Sequence, residues 1–84
     1  MKVILSPQAQ EDLDTIEDPL LSKVIKRLRI LADFPELGAS MTGPFTGYRA
    51  TVAGDLFRVV YRFDRIRGRV AVAYIRHCKR GLPC

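Results

Sequence analysis

Six side chains in the C-terminal half of this chain are of the types that handle a phosphodiester: Arg49, Arg58, Arg62, His77, Lys79 and Arg80. Arginine presents a planar fork of N–H donors that matches a phosphate bidentately, and lysine a mobile point charge. His77 is the only histidine. Imidazole is the side chain best suited to give or take a proton near neutral pH. Together these residues read as an anion site with a proton carrier at one end.

The charge distribution points the same way. The chain has 84 residues and a formal net charge of +5. Residues 1–48 hold five basic groups (Lys2, Lys23, Lys26, Arg27, Arg29) and seven acidic ones, a net of −2. Residues 49–84 hold nine basic groups and two acidic ones, Asp55 and Asp64, a net of +7. A charge placed only for solubility would have both signs interspersed. The asymmetry favours a nucleic acid or an acidic protein as partner.

Positioning these groups requires a scaffold, and 84 residues supply one domain, residues 1–84. Lys2 to Leu5 reads as a short strand. Ser6-Pro7 is a helix start, with Ser as cap and Pro at the first helical position. Ala9, Leu13 and Ile16 then share one helical face. Asp18-Pro19 starts a second helix, along which Leu21, Val24, Leu28 and Leu31 form a stripe. Pro35 and Gly38 stop it, and a Pro- and Gly-rich loop reaches to Gly47. Three strands follow, over Tyr48–Ala53, Leu56–Phe63 and Val70–Arg76. The fold expected is α+β, in the order β-α-α-β-β-β, with a helical hairpin packed on one face of a mostly antiparallel four-stranded sheet.

Gly54-Asp55 reads as a two-residue hairpin turn, which puts Arg49 opposite Val60 and Thr51 opposite Arg58. One face then holds Tyr48, Ala50, Val52, Phe57, Val59, Tyr61 and Phe63. The other gathers Arg49, Thr51, Arg58, Val60 and Arg62. If Phe63 pairs with Val70, then Val70, Val72 and Tyr74 face the helices, and Ala71, Ala73, Ile75 and His77 extend the arginine face. Lys79 and Arg80 lie just beyond it.

Several segments carry a family resemblance. They are Ser6-Pro7-x-Ala9-x-x-Asp12-Leu13, the helix exit Phe34-Pro35-Glu36-Leu37-Gly38, Gly47-Tyr48-Arg49, and Gly54-Asp55-Leu56-Phe57-Arg58-Val59-Val60-Tyr61-Arg62. In this order they resemble the RelE/ParE superfamily of toxins from bacterial type II toxin–antitoxin pairs, with one residue inserted at Leu56 or Phe57. Ile75-Arg76-His77-Cys78 resembles the family's closing motif, with Cys78 where the family has Arg. Thr51 replaces a lysine seen in some relatives, and Leu82-Pro83 stand where a Tyr is often found.

The resemblance implies a ribosome-dependent mRNA endoribonuclease. In that chemistry the ribose 2′-OH attacks its own 3′-phosphate and expels a 5′-OH, which needs a base near the 2′-OH, an acid for the leaving oxygen and cations around the phosphorane. It implies Arg58, His77 and Arg49 as catalytic residues, and Arg49, Arg58, Arg62, Lys79 and Arg80 as RNA-phosphate ligands. The partners implied are ribosome-bound mRNA and a cognate antitoxin, acidic and partly disordered. The alternative is a ParE-like inhibitor that binds DNA gyrase, or a toxin remnant that only binds its antitoxin.

Other classes are disfavoured. No apolar run has the length of a membrane span, and the N-terminus has too short an apolar stretch for a secretory signal. The cytoplasm is the expected location. Cys78 and Cys84 are expected to be free thiols, and two Cys with one His do not make a zinc site without carboxylate help. No cofactor is expected.

Overall fold

The computed structural model describes residues 1–54 and 56–78. Lys2–Leu5 forms strand β1. Ser6 then caps helix α1 (Pro7–Asp14): its Oγ accepts from the Ala9 amide at 3.0 Å, and Pro7 opens the helix. Helix α2 (Leu20–Asp33) follows a break at Asp18-Pro19. Asp18 Oδ1 accepts from both the Ser22 amide and the Ser22 hydroxyl, at 3.1 and 2.6 Å, so it caps the first turn. The α2 stripe turns Val24, Leu28 and Leu31 into the core.

The elements that follow among the described residues are β2 (Ala39–Ser40), a 3₁₀ turn (Gly43–Phe45), β3 (Arg49–Ala53), β4 (Phe57–Asp64) and β5 (Arg69–His77). Among the described residues the sheet has five strands in the order β1-β5-β4-β3-β2, one more than expected. The extra strand, β2, is two residues long and pairs only with β3. β1 runs parallel to β5, and the other pairings are antiparallel. The α+β class and the two helices on one sheet face are as expected. α1 packs on β5, and α2 touches β1, β3 and β5.

The core between helices and sheet contains Ala9, Ile16, Val24, Leu28 and Leu31 from the helical side. From the strands come Ala53, Phe57, Val59, Tyr61, Val70, Val72 and Ile75. Among the described residues no helix is long and apolar enough to cross a membrane.

Two local features set which side chains share a face. Ala53 pairs with Phe57, so the β3–β4 turn spans three residues, 54–56, rather than two. Gly54 takes φ 59° in that turn, a conformation glycine adopts without steric cost. In the β4–β5 ladder Tyr61 pairs with Val72 but Val60 pairs with Tyr74. Ala73 is therefore an extra residue, a bulge that reverses the facing of everything beyond it.

The bulge is held by α1. The Ser6 amide donates to the Val72 carbonyl at 3.0 Å, and Ser6 Oγ donates to the Ala73 carbonyl at 2.5 Å. Asp12 Oδ2 accepts from the Ile75 amide at 3.0 Å. Past Leu5, where β1 ends, side chains of α1 thus take over the hydrogen bonds of that margin of β5.

Candidate functional site

The three-residue turn shifts the β3–β4 register by one from the expected pairing. Arg49 lies opposite Tyr61 and Thr51 opposite Val59, while Val52 lies opposite Arg58 and Ala50 opposite Val60. Since facing alternates along a strand, Arg49 and Arg58 sit on opposite faces of the sheet. The expected cluster of Arg49, Arg58 and Arg62 is corrected accordingly. The physical reason is the core: Ala53, Phe57, Val59 and Tyr61 must all face the helices, and only this register allows it. Val52, expected inside, is 38% exposed.

Arg49 is tolerated on the helix-side face because β3 is near the sheet margin. Its Nη1 donates to the Gly38 carbonyl at 2.8 Å and to the Glu36 carbonyl at 3.4 Å. Its guanidinium stands 5.7 Å from the centre of the Phe63 ring. Close by, Tyr61 is fully buried. Its hydroxyl donates to the Pro35 carbonyl at 2.7 Å and accepts from the Gly38 amide at 2.8 Å. Burial pushes the Tyr61 phenol above its ordinary value, while the Gly38 hydrogen bond and the Arg49 charge act in the opposite direction. Arg49 and Tyr61 are thereby committed to fixing the Pro35–Gly38 segment.

The bulge at Ala73 relocates His77. Phe63 does pair with Val70, as the expected register required, but beyond Ala73 the inner side chains are Ile75 and His77. His77 pairs with Phe57, and their rings meet edge to face at 5.2 Å. It borders a hollow of about 460 Å³ shared with Gln8, Asp12 and Thr15 of the α1 segment. His77 is therefore on the side away from Arg58, contrary to expectation. Lys79 and Arg80 lie outside the described residues. Cys78 is disulfide-bonded, unlike the free thiol expected; Cys84 is outside the described residues.

The outer face has its own assembly. Arg58 lies opposite Arg76, and Val60 opposite Tyr74. Arg62 stands over the Tyr48 ring at 5.7 Å, and Arg76 over the Tyr74 ring at 4.9 Å. Val60 is completely buried on this face, apart from the main core. The result is three guanidinium groups, Arg58, Arg62 and Arg76, with two tyrosines. None of the three forms an ion pair among the described residues, where the pairs are Arg65–Glu36 and Arg67–Asp64. Such a surface suits phosphates or an acidic protein segment. Arg76, Tyr48 and Tyr74 were missed as site residues. Their placement on this face depends on the bulge and on contacts that alternation along the strands does not reveal. No cluster of metal-ligating side chains occurs among the described residues.

The family model for the ParE toxin of the type II toxin–antitoxin system parDE matches residues 3–82. The chain belongs to the ParE toxin family. Solved structures agree on the fold of this ParE-family toxin. The toxin–antitoxin complex RelBE2 from Mycobacterium tuberculosis superposes with a TM-score of 0.83 at 22% identity, covering 92% of this chain and 96% of that one. The YoeB/ParE toxin from Agrobacterium tumefaciens gives 0.81 at 20% identity, covering 94% and 100%. The RelBE toxin–antitoxin complex of E. coli gives 0.77 at 14% identity, covering 94% and 98%. No curated protein sequence matches this one. The ParE-family toxin is thus a toxin of a type II toxin–antitoxin system with the RelE-like fold expected from its motifs.

Proposed function

We propose that this toxin acts by binding its target rather than by cutting RNA. The target implied by the family is DNA gyrase, and a cognate antitoxin holds the toxin in check. One observation carries the reading. The groups that strand cleavage would need together are divided by the sheet, with Arg58 on the outer face and His77 and Arg49 on the helix side. Arg49 is further engaged by the Gly38 and Glu36 carbonyls. General acid–base catalysis needs its groups within hydrogen-bond reach of the same substrate atoms. Binding needs only a rigid, chemically marked surface, and Arg58, Arg62, Arg76, Tyr48 and Tyr74 provide it. Arginine and tyrosine are the residue types that dominate protein interfaces energetically. The antitoxin partner is supported by the neighbouring RelBE2 and RelBE structures, which are toxin–antitoxin complexes.

The experiment is induced expression with parallel readouts, together with a supercoiling assay on purified gyrase. Arrest of DNA replication and inhibition of supercoiling, with intact transcripts, is the expected result. Transcripts cut on ribosomes, with gyrase unaffected, would reject the proposal.

The second reading, an mRNA endoribonuclease, is favoured by the arginines of the outer face, which form no ion pair among the described residues. There Arg58, Arg62 and Arg76 would hold the phosphates, with Lys79 and Arg80 as further candidates. Transcript-end mapping in the same experiment separates the two.

A further inference from the structure

We propose that the tip of the β4–β5 hairpin is a second, separate contact, made for the phosphate backbone of a duplex nucleic acid. Residues 62–69 contain Arg62, Arg65, Arg67 and Arg69 against one carboxylate, Asp64. Lys2 adds a further cation, since it pairs with Arg69 across the β1–β5 ladder. The four arginines surround a hollow of about 610 Å³ that is floored by Ile4 and Ala71. A depression lined by guanidinium groups that outnumber the carboxylates beside them, Asp64 and Glu36, favours a polyanion.

The tip is built rather than loose. Asp64 Oδ1 accepts from the amides of Ile66 and Arg67 at 2.9 and 3.2 Å, the side-chain-to-backbone pattern that rigidifies a turn. These bonds direct the carboxylate inward to the turn. Its other oxygen lies 3.8 Å from Arg67 Nε, which is a loose pairing. Arg65 is braced by Glu36 and stands 5.2 Å from the centre of the Phe63 ring. Gly68, at φ 63°, closes the turn.

At the apex is Ile66, 98% exposed. A lone exposed apolar residue is ordinary in itself. Here it stands between two arginines on a fixed turn. Proteins that grip the phosphate backbone while pressing an aliphatic side chain on the groove use this combination. The contact differs from the outer-face cluster in place and composition: Arg62 borders both, whereas Arg65, Ile66, Arg67 and Arg69 belong only to the tip. The proposal concerns the toxin's own affinity for nucleic acid and stands whichever target is correct.

The test is fluorescence anisotropy of the whole purified toxin with labelled DNA and RNA duplexes of about 20 base pairs, from roughly 50 to 200 mM salt. Binding should weaken steeply with salt. Arg67→Ala/Arg69→Ala should lower affinity about tenfold or more and reduce the salt slope by about 2, as expected when two phosphate contacts are removed. Ile66→Ser should weaken binding severalfold with the slope unchanged. Comparison of the two duplexes then shows which nucleic acid the tip prefers. Melting curves confirm that the variants fold. The proposal is overturned if neither duplex binds, if the tip variants bind like the parent protein, or if the loss follows Arg58→Ala/Arg76→Ala instead. It is also overturned if the tip variants change only the toxin's binding to vesicles of phosphatidylglycerol.

Discussion

The Tyr61 hydroxyl accepts a hydrogen bond from the Gly38 amide at 2.8 Å, joining the middle of the sheet to the segment that leaves α2. The same hydroxyl donates to the Pro35 carbonyl, so one phenol serves two backbone groups of the Pro35–Gly38 segment. Removing it in Tyr61→Phe leaves both groups buried without partners, at a cost of about 1–3 kcal/mol. The midpoint of urea unfolding should fall accordingly.

The same phenol makes stability depend on pH at the alkaline end. Its folded-state pKa is raised above the ordinary 10.0, mainly by burial. The unfolded chain therefore loses that proton first as pH rises. The stabilisation is fully present below pH 10 and is lost as pH climbs toward the folded value. Urea midpoints measured on either side of that threshold should drop for the parent protein and drop less for Tyr61→Phe.

Gly38 is constrained by the same contact. A Cβ built there would stand 2.7 Å from Tyr61 Oη and 2.9 Å from the Ala50 carbonyl oxygen. The second obstacle is backbone and cannot swing away. Gly38→Ala should destabilise by about 1–3 kcal/mol, an overpacking cost. For a domain of this size each kcal/mol corresponds to about 4–8 °C of melting temperature, so thermal unfolding resolves it.

Arg49 and Arg58 should separate cleanly on substitution. Arg49→Ala removes the donor to Gly38 and Glu36 and should lower the melting temperature. Any loss of toxicity should then track the fraction folded. Arg58→Ala should leave the melting temperature nearly unchanged but weaken target inhibition about tenfold or more, as loss of an interface arginine does. Equal effects of both variants on inhibition at full folding would contradict the division of the two faces.

Ser6 has two tasks, capping α1 and donating to Ala73 of the bulge. Ser6→Ala should cost about 1–2 kcal/mol. Asp12→Ala should act more locally. Hydrogen exchange at the Ile75 amide should accelerate, because its acceptor is gone, while amides of β4 keep their protection.

What could be read in the sequence is what neighbouring residues decide among themselves. Ser6-Pro7 marks the start of α1, the Leu21–Leu31 stripe marks the buried side of α2, and Pro35 with Gly38 marks its end. The motif order was enough to identify the superfamily. What could not be read turns on single residues. Tyr48, Ala50 and Val52 are more apolar than Arg49, Thr51 and Ala53, so alternation alone assigns the wrong side of β3 to the core. The register is instead set by Ala53 packing with Phe57 beneath the helices. The Ala73 bulge has no local signature either, because Val70 to Ile75 is apolar throughout and fits both facings. The fold survives these slips, but the candidate site does not, since a shift of one residue exchanges the faces on which Arg49 and His77 stand. β2 leaves no mark in the sequence, because two residues between loops have no periodicity.

The way α1 seals the margin of β5 has a consequence for the protein in bulk. A strand edge with free amides and carbonyls is a template for another copy of the chain, and such templating leads toward fibrils. Ser6 and Asp12 occupy Ala73 and Ile75, two of the backbone positions that an incoming strand would need at that margin. At the opposite border the two-residue β2 covers only Arg49 and Ala50 of β3. Two short polar side chains near the start of the chain therefore guard this margin of the aliphatic-rich β5 against strand pairing.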